Sequence, residues 1–183
     1  MDEMNLIKNN EDFIRKMQEE DPDFFRHLQQ GQHPEFFVLA CSDSRVSPSA
    51  ISQMKLGNMF IHRNIANQVS NNDDSFSAGL YYALVHLKVS HIIIKGHTEC
   101  GGIHAAWNGN NEEELQAWLT HIRNSLPDRK DNEEMSLDEL SKINILKQVN
   151  NIKNHPIYKA YGKGIDVSGF LFHLDSGQLE KII

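Results

Sequence analysis

The sequence has little of what marks several large classes of protein. Only two of its 183 residues are cysteine, too few for a disulfide framework, so we expect reduced thiols that are free for metal binding or catalysis. The longest apolar run is far too short to span a membrane, and the acidic N-terminus has no signal-peptide pattern. Lysine and arginine are scattered along a chain of net charge −7. These absences predict a cytoplasmic protein without a membrane or nucleic-acid partner.

Nothing in the sequence divides the chain into repeats, linkers or low-complexity segments. Its length fits one domain with a full-sized core. We therefore predict a single domain over residues 1–183, of which residues 1–30 form an N-terminal helical arm. The arm has apolar residues at helical spacing, with helix starts predicted at Asn10 and at Asp21-Pro22. Such an arm packs either on a neighbouring subunit or on its own core.

Short apolar runs alternate with amphipathic segments along the rest of the chain. The runs predict strands at about 35–40, 59–63, 91–95 and 165–174, and an edge strand at 179–183 that follows a turn at Asp175-Ser176-Gly177. The amphipathic segments predict helices at about 47–54, 75–87, 103–107, 112–126 and 137–152, with a charged loop at 127–135. This alternation predicts an α/β fold with a mainly parallel central sheet of four strands, the C-terminal edge strand, and helices on both faces.

Both cysteines follow predicted buried strands. Cys41 ends an apolar run and is followed by Asp43 and Arg45, while Cys100 lies three residues after His97. Open α/β sheets place their chemistry in the loops at the carboxyl ends of such strands. Two thiolates and an imidazole are ligands that zinc prefers, and three protein ligands leave the fourth position open, as in catalytic sites. Asp43 would accept a hydrogen bond from the group at that position, and Arg45 would keep Asp43 ionised and oriented.

The pattern alone leaves other interpretations open. Cys41 and Cys100 could form a redox pair, or each could pack as a small buried hydrophobe. Neither Cys-x-Asp-x-Arg nor His-x-x-Cys is specific when it occurs alone.

Three segments together resemble the signature blocks of the β-class carbonic anhydrases, in the order and spacing of that family. They are Cys41-Ser-Asp-Ser-Arg45-Val, Phe60-Ile-His-Arg63-Asn-Ile-Ala-Asn67 and Gly96-His97-Thr-Glu-Cys100-Gly-Gly102. The resemblance extends from the helices at 10–28 to the strand at 167–170. It implies one Zn²⁺ per chain on Cys41, His97 and Cys100, with Asp43 and Arg45 as the catalytic dyad. The implied activity is the reversible hydration of CO2 to bicarbonate and a proton by attack of zinc-bound hydroxide.

The resemblance also implies a small apolar cleft at a dimer interface, so we expect a homodimer or a homotetramer. The positions that match substrate-binding residues of the family are Gln32, Phe60, Ile65, Tyr82 and Gly101.

One subtype of the family resembles a two-state switch, in which the dyad aspartate takes the fourth zinc position when bicarbonate occupies a separate pocket. That pocket uses a tryptophan, an arginine and a tyrosine. Here the arginine is present as Arg63, but Val38 and Phe172 stand at the other two positions. The chain therefore resembles the non-allosteric, plant-like subtype with an open site. Two alternative functions stay open at this point, a hydrolase of COS or CS2 on the same scaffold and a non-catalytic scaffold protein with a vestigial zinc site.

Overall fold

The structure is a computed structural model that describes residues 2–128 and 135–183, so much of the predicted loop at 127–135 lies outside the described residues. Two compact units make up the chain, Met1–Gln32 and His33–Ile183. Among the described residues, no helix combines the length and the apolar character needed to cross a membrane.

The first unit consists of two helices, α1 (Glu3–Glu20) and α2 (Phe24–Gln29). The predicted start at Asn10 is wrong, because the side chain of Asp2 caps α1 by accepting a hydrogen bond from the backbone N–H of Met4. No glycine or proline interrupts the residues between Asp2 and Asn10, so the helix continues through them. The predicted start at Asp21-Pro22 is replaced by a turn, and α2 begins two residues later.

The second unit contains one five-stranded sheet, with the strand order β2-β1-β3-β4-β5. The first four strands of this order are parallel, and β5 pairs antiparallel with β4. This confirms the predicted α/β class and the edge strand. The bounds are β1 (Phe36–Cys41), β2 (Met59–Asn64), β3 (His91–His97), β4 (Asp166–Phe172) and β5 (Leu179–Lys181).

Six helices surround the sheet in the described part of the second unit, each close to a predicted segment except the last. They are α3 (Pro48–Ser52), α4 (Asp74–Tyr81), which continues as a π-helical turn over Tyr82–Leu87, α5 (Gly101–Asn108), α6 (Glu113–Arg123), α7 (Leu137–Asn154) and α8 (Pro156–Tyr161). Helix α8 was not predicted, because its six residues are too few for a helical period to stand out. Its start is set by Pro156 in the first turn and by the His155 side chain, which caps the backbone N–H of Ile157.

Helix α7 packs closely on one face of the sheet because two strand residues there are glycines. A Cβ atom at Gly96 would lie 2.8 Å from Ile145, and one at Gly169 would lie 2.5 Å from the same side chain. The helix therefore approaches the strands more closely than any larger residue would allow. This contact brings α7 to the carboxyl end of β3, which carries His97.

Candidate metal centre

The three predicted metal ligands converge at the carboxyl edge of the sheet. Cys41 is the last residue of β1, His97 is the last residue of β3, and Cys100 directly precedes α5. Their ligand atoms all lie within 4.8 Å of one another, and all three residues are buried. Both cysteines are free, with their Sγ atoms 3.9 Å apart, which is almost twice the length of a disulfide bond.

The arrangement fits a tetrahedral zinc ion. Zn–S bonds of about 2.3 Å at the tetrahedral angle place two sulfurs about 3.8 Å apart, close to the spacing found here. The imidazole of His97 is also oriented to bind a metal ion. Its Nδ1 donates a hydrogen bond to the Thr98 carbonyl oxygen at 2.8 Å, which leaves Nε2 with a free lone pair. Nε2 is buried and has no hydrogen-bond partner in the described part of the chain, so a cation between it and the sulfurs would satisfy it.

The electrostatics of the sulfur pair also favour a cation. The hydrogen bond with Cys100 lowers the pKa of the Cys41 thiol, although burial opposes this shift. The same contact, together with burial, raises the pKa of Cys100. The pair therefore carries one negative charge readily, while a second charge needs a positive ion between the sulfurs. Backbone N–H groups at the start of α5, on Gly102 and Ile103, face the Cys100 sulfur and favour its anionic form.

Asp43 and Arg45 form a closely bonded pair beside these ligands. Arg45 donates to Asp43 Oδ1 from its backbone N–H at 3.0 Å and from Nε at 2.9 Å, and to Oδ2 from Nη2 at 2.7 Å. These hydrogen bonds hold the pKa of the Asp43 carboxyl well below its usual range, so the group is ionised at neutral pH. Oδ2 lies 3.8 Å from His97 Nε2, and the carboxylate therefore borders the metal position.

Arg63 fixes the loop that carries both Cys41 and Asp43. Its Nε donates to the Cys41 carbonyl at 2.9 Å, and its Nη2 donates to the Asp43 carbonyl at 2.7 Å. These two donors of the Arg63 guanidinium are therefore engaged by backbone carbonyls.

The residues that match the substrate cleft of the family are placed on several elements. Phe60 on β2 and Tyr82 after α4 are in contact, with ring centroids 5.8 Å apart. Ile65 follows β2 and lies against Gly102, where a Cβ atom would come within 2.6 Å of its Cγ2. Gly101 begins α5, and a Cβ atom there would meet no other group within 4 Å. Gln32 is exposed at the end of the first unit. Their roles in binding substrate stay predictions.

Three buried polar side chains near the metal centre were missed by the sequence analysis. Gln68, Asn144 and Gln148 are at most 1% exposed, and they form one hydrogen-bonded group next to the 3₁₀ turn over Ile65–Asn67. One signal was available, because Asn144 and Gln148 are four residues apart within the apolar stripe of α7. Polar residues at such positions are buried only when they have hydrogen-bond partners.

Comparison with known proteins gives one family. A family model described as "Carbonic anhydrase" matches residues 36–179. A carbonic anhydrase of Emericella nidulans is 33% identical over 97% of this chain and 82% of its own length. Among solved structures, a tetrameric β-carbonic anhydrase of Sordaria macrospora superposes with a TM-score of 0.88 at 30% identity, covering 97% of this chain and 95% of that one. The Coccomyxa β-carbonic anhydrase gives a TM-score of 0.88 at 27% identity, covering 98% and 86%.

The family model covers most of the chain, and its matched range contains Cys41, His97 and Cys100. The relatives align over nearly the whole length of the chain. The fold, the Cys-His-Cys group and these matches together show that this chain belongs to the β-class carbonic anhydrase family.

Proposed function

We propose that this chain catalyses the reversible hydration of CO2 to bicarbonate and a proton. Cys41, His97 and Cys100 hold the zinc ion that its family uses, and Asp43 and Arg45 orient the reacting oxygen at the open position.

The observation that carries this proposal is Nε2 of His97, which has no hydrogen-bond partner among the described residues and is buried beside two sulfurs at the spacing of zinc ligands. When bound, zinc supplies a Lewis acid that lowers the pKa of a water molecule at its fourth position. The chain contributes the Asp43 carboxylate, whose Oδ2 lies 3.8 Å from His97 Nε2 and would accept a hydrogen bond from the reacting oxygen. Because Asp43 is ionised and fixed by Arg45, it acts as an acceptor only and selects one orientation of the O–H bond.

Apolar side chains supply the surroundings that CO2 requires, since the molecule has no charge and little polarity. We assign this role to Phe60, Ile65 and Tyr82. Gln32 would contribute amide hydrogens to an oxygen of the substrate, and the open space at Gly101 would let substrate approach the backbone.

Metal analysis and a CO2 hydration assay on the same preparation test the proposal. We expect about one zinc per chain, together with hydration activity that is lost when the metal is removed. An assay with COS and CS2 should run beside the CO2 assay. Faster turnover of either sulfur compound would indicate a hydrolase on this scaffold. Zinc without any turnover would indicate a vestigial site in a scaffold protein, and a protein without zinc would refute the metal assignment.

We further propose that the chain belongs to the open-site, non-allosteric subtype. Arg45 holds Asp43 through two side-chain hydrogen bonds, and Arg63 donates from Nε and from Nη2 to backbone carbonyls. Val38 and Phe172 offer no polar atom to a bound bicarbonate, and each missing partner costs roughly 1–3 kcal/mol. A ligand shifts an equilibrium only through differential affinity, so bicarbonate should not inhibit cooperatively. Steep sigmoidal inhibition by bicarbonate at neutral pH would contradict this assignment.

We propose a homodimer or homotetramer in the cytoplasm, where the two thiols stay reduced. The Sordaria macrospora relative is tetrameric, and Ile65 and Tyr82 are each more than 40% exposed in the single chain. A second subunit that covers these apolar side chains would complete the cleft. Sedimentation at assay concentration should give a dimer or larger species, and a fully active monomer would contradict the proposal.

A further inference from the structure

One backbone turn touches the metal centre without contributing a ligand. The backbone N–H of Ala66 points at Cys41 Sγ, with a distance of 3.4 Å between nitrogen and sulfur. Ala66 has φ +61°, and the next residue, Asn67, has φ +50°, so both adopt the left-handed region that side-chain-bearing residues rarely use. Both are almost completely buried. A turn of this kind persists only when its surroundings hold it in place.

Two amide side chains bind the carbonyl group of Ala66. The Ala66 carbonyl oxygen accepts hydrogen bonds from Gln68 Nε2 at 2.7 Å and from Asn144 Nδ2 at 3.0 Å. Gln68 is held in turn by Asn64 at the end of β2. Its backbone N–H donates to Asn64 Oδ1 at 2.7 Å, and its carbonyl accepts from Asn64 Nδ2 at 2.8 Å. The bond from Asn144 comes from a different part of the chain, 78 residues away along the sequence.

Helix α7 also contacts the segment after Ala66 through Gln148, which lies one helical turn after Asn144. Gln148 Oε1 accepts a hydrogen bond from the backbone N–H of Val69 at 2.9 Å, and Gln148 Nε2 donates to Asn144 Oδ1 at 3.0 Å. Asn144 Oδ1 also accepts from Gln68 Nε2 at 2.8 Å. A helix that carries no metal ligand therefore sets the position of the backbone around Cys41.

We propose that Asn144 is a positioning residue for the metal centre. It holds the Ala66 carbonyl, which keeps Ala66 in its left-handed conformation and keeps the Ala66 N–H on Cys41 Sγ. That hydrogen bond fixes the side chain of Cys41 and withdraws electron density from its sulfur. Groups that orient metal ligands in this way commonly affect metal affinity by about 10- to 100-fold when they are removed.

The test is the substitution Asn144→Ala in the zinc-loaded protein, with Asn144→Ser as a milder second variant that is too short to reach the Ala66 carbonyl. We expect zinc transfer to a chromophoric chelator to become about tenfold faster or more. In the cobalt-substituted protein, the thiolate-to-cobalt charge-transfer band should move to lower energy, because Cys41 Sγ has lost a hydrogen-bond donor. Hydrogen exchange at the Ala66 amide should also become faster.

Two control variants on the same helix separate positioning from general loss of stability. Ser141→Ala removes a buried hydroxyl that has no hydrogen-bond partner in the described residues, and Ile152→Val removes a methyl group from the core eight residues after Asn144. Both should keep the wild-type rate of zinc transfer and the wild-type cobalt spectrum.

The inference rests on the metal centre proposed above, and the two can fail separately. Wild-type protein that binds no zinc would refute the metal centre itself. Zinc-loaded wild type together with an unchanged transfer rate and cobalt spectrum in both Asn144 variants would overturn only the positioning role. Equal changes in Ile152→Val would also overturn it, since loss of core packing would then be the cause.

Discussion

Replacing Arg45 with alanine tests the dyad directly, because Arg45 supplies three donors to the Asp43 carboxylate. Arg45→Ala removes the two side-chain donors and leaves only the backbone N–H on Oδ1. Oδ2 then loses its bond to Arg45 while it lies 3.8 Å from His97 Nε2, beside the metal position. The freed carboxylate can turn toward that position and compete with the reacting oxygen.

The expected loss of activity comes from orientation and not from charge. Arg45 lowers the pKa of Asp43, so its removal returns that pKa toward the ordinary value of about 3.9. The carboxyl is ionised at pH 7 in both proteins. Loss of a partner that orients a metal-site group typically costs about 10- to 100-fold in activity, and we expect a loss of that size with zinc content largely kept.

The assay is stopped-flow CO2 hydration at pH 7 to 9, with zinc measured on the same samples. Arg45→Lys is the matched control, since it keeps the positive charge but lacks the planar pair of donors. The hydration activity of Arg45→Lys should lie between those of wild type and Arg45→Ala. Asp43→Ala should lose about as much activity as Arg45→Ala. The double variant should lose no more than either single variant, because the two residues act as a unit.

Two outcomes would refute this reasoning. If the losses in the double variant are the product of the single losses, Asp43 and Arg45 act independently. If Arg45→Lys retains full activity, charge is sufficient and the bidentate geometry has no role.

Three further predictions follow from other parts of the structure. Cys41→Ala, His97→Ala and Cys100→Ala should each release zinc, and full metal occupancy in any of them by elemental analysis would remove that residue from the ligand set. Gly96→Ala places a methyl group 2.8 Å from Ile145. Overpacking of about 1–3 kcal/mol outweighs the gain of about 0.5–1 kcal/mol from replacing glycine, so urea unfolding should show a net loss of about 1–2 kcal/mol. Adding Ile145→Val to Gly96→Ala should recover part of that loss. If the losses of stability from the two substitutions simply add, the contact between positions 96 and 145 is not their cause. Burial lowers the pKa of Lys95 to about 8, so its charged form costs stability in the folded state below that pH. Lys95→Met should therefore raise the free energy of unfolding at pH 7 by about 1–3 kcal/mol. Between about pH 8 and 10.5 the wild type binds fewer protons when folded than when unfolded, so its stability rises with pH over that window. The difference in free energy of unfolding between Lys95→Met and wild type should therefore shrink. A variant that is less stable than wild type at pH 7 would contradict the argument.

The element pattern was largely readable from the sequence because it is local. Apolar runs with flanking turns located all five strands, and helical spacing located most helices of the second unit. The errors fell where the local signal was weak or duplicated. Helix α1 begins at Glu3, since Asp2 is as good a cap as Asn10, and the six-residue α8 is too short to show a period.

The metal ligands were also predictable, for a different reason. His97 and Cys100 are three residues apart, so their convergence depends on one turn, and the three signature blocks together identified Cys41 as their partner. Sequence alone left a redox pair possible. Two properties of the assembled sheet edge favour a metal centre. The two sulfurs are 3.9 Å apart, and Nε2 of His97 has no hydrogen-bond partner within residues 2–128 and 135–183.

The surroundings of that centre were decided only by the tertiary structure. Nothing near Cys41 in the sequence indicates that Ala66 donates to its sulfur, or that Asn144 holds the Ala66 carbonyl. These hydrogen bonds depend on how α7 packs against the strands, and that packing depends in turn on the absence of side chains at Gly96 and Gly169. The sequence determined which atoms can bind a metal, because ligand chemistry belongs to each residue by itself. The tertiary structure determined how those atoms are held, because a buried amide gains a partner only when distant segments of the chain have packed together.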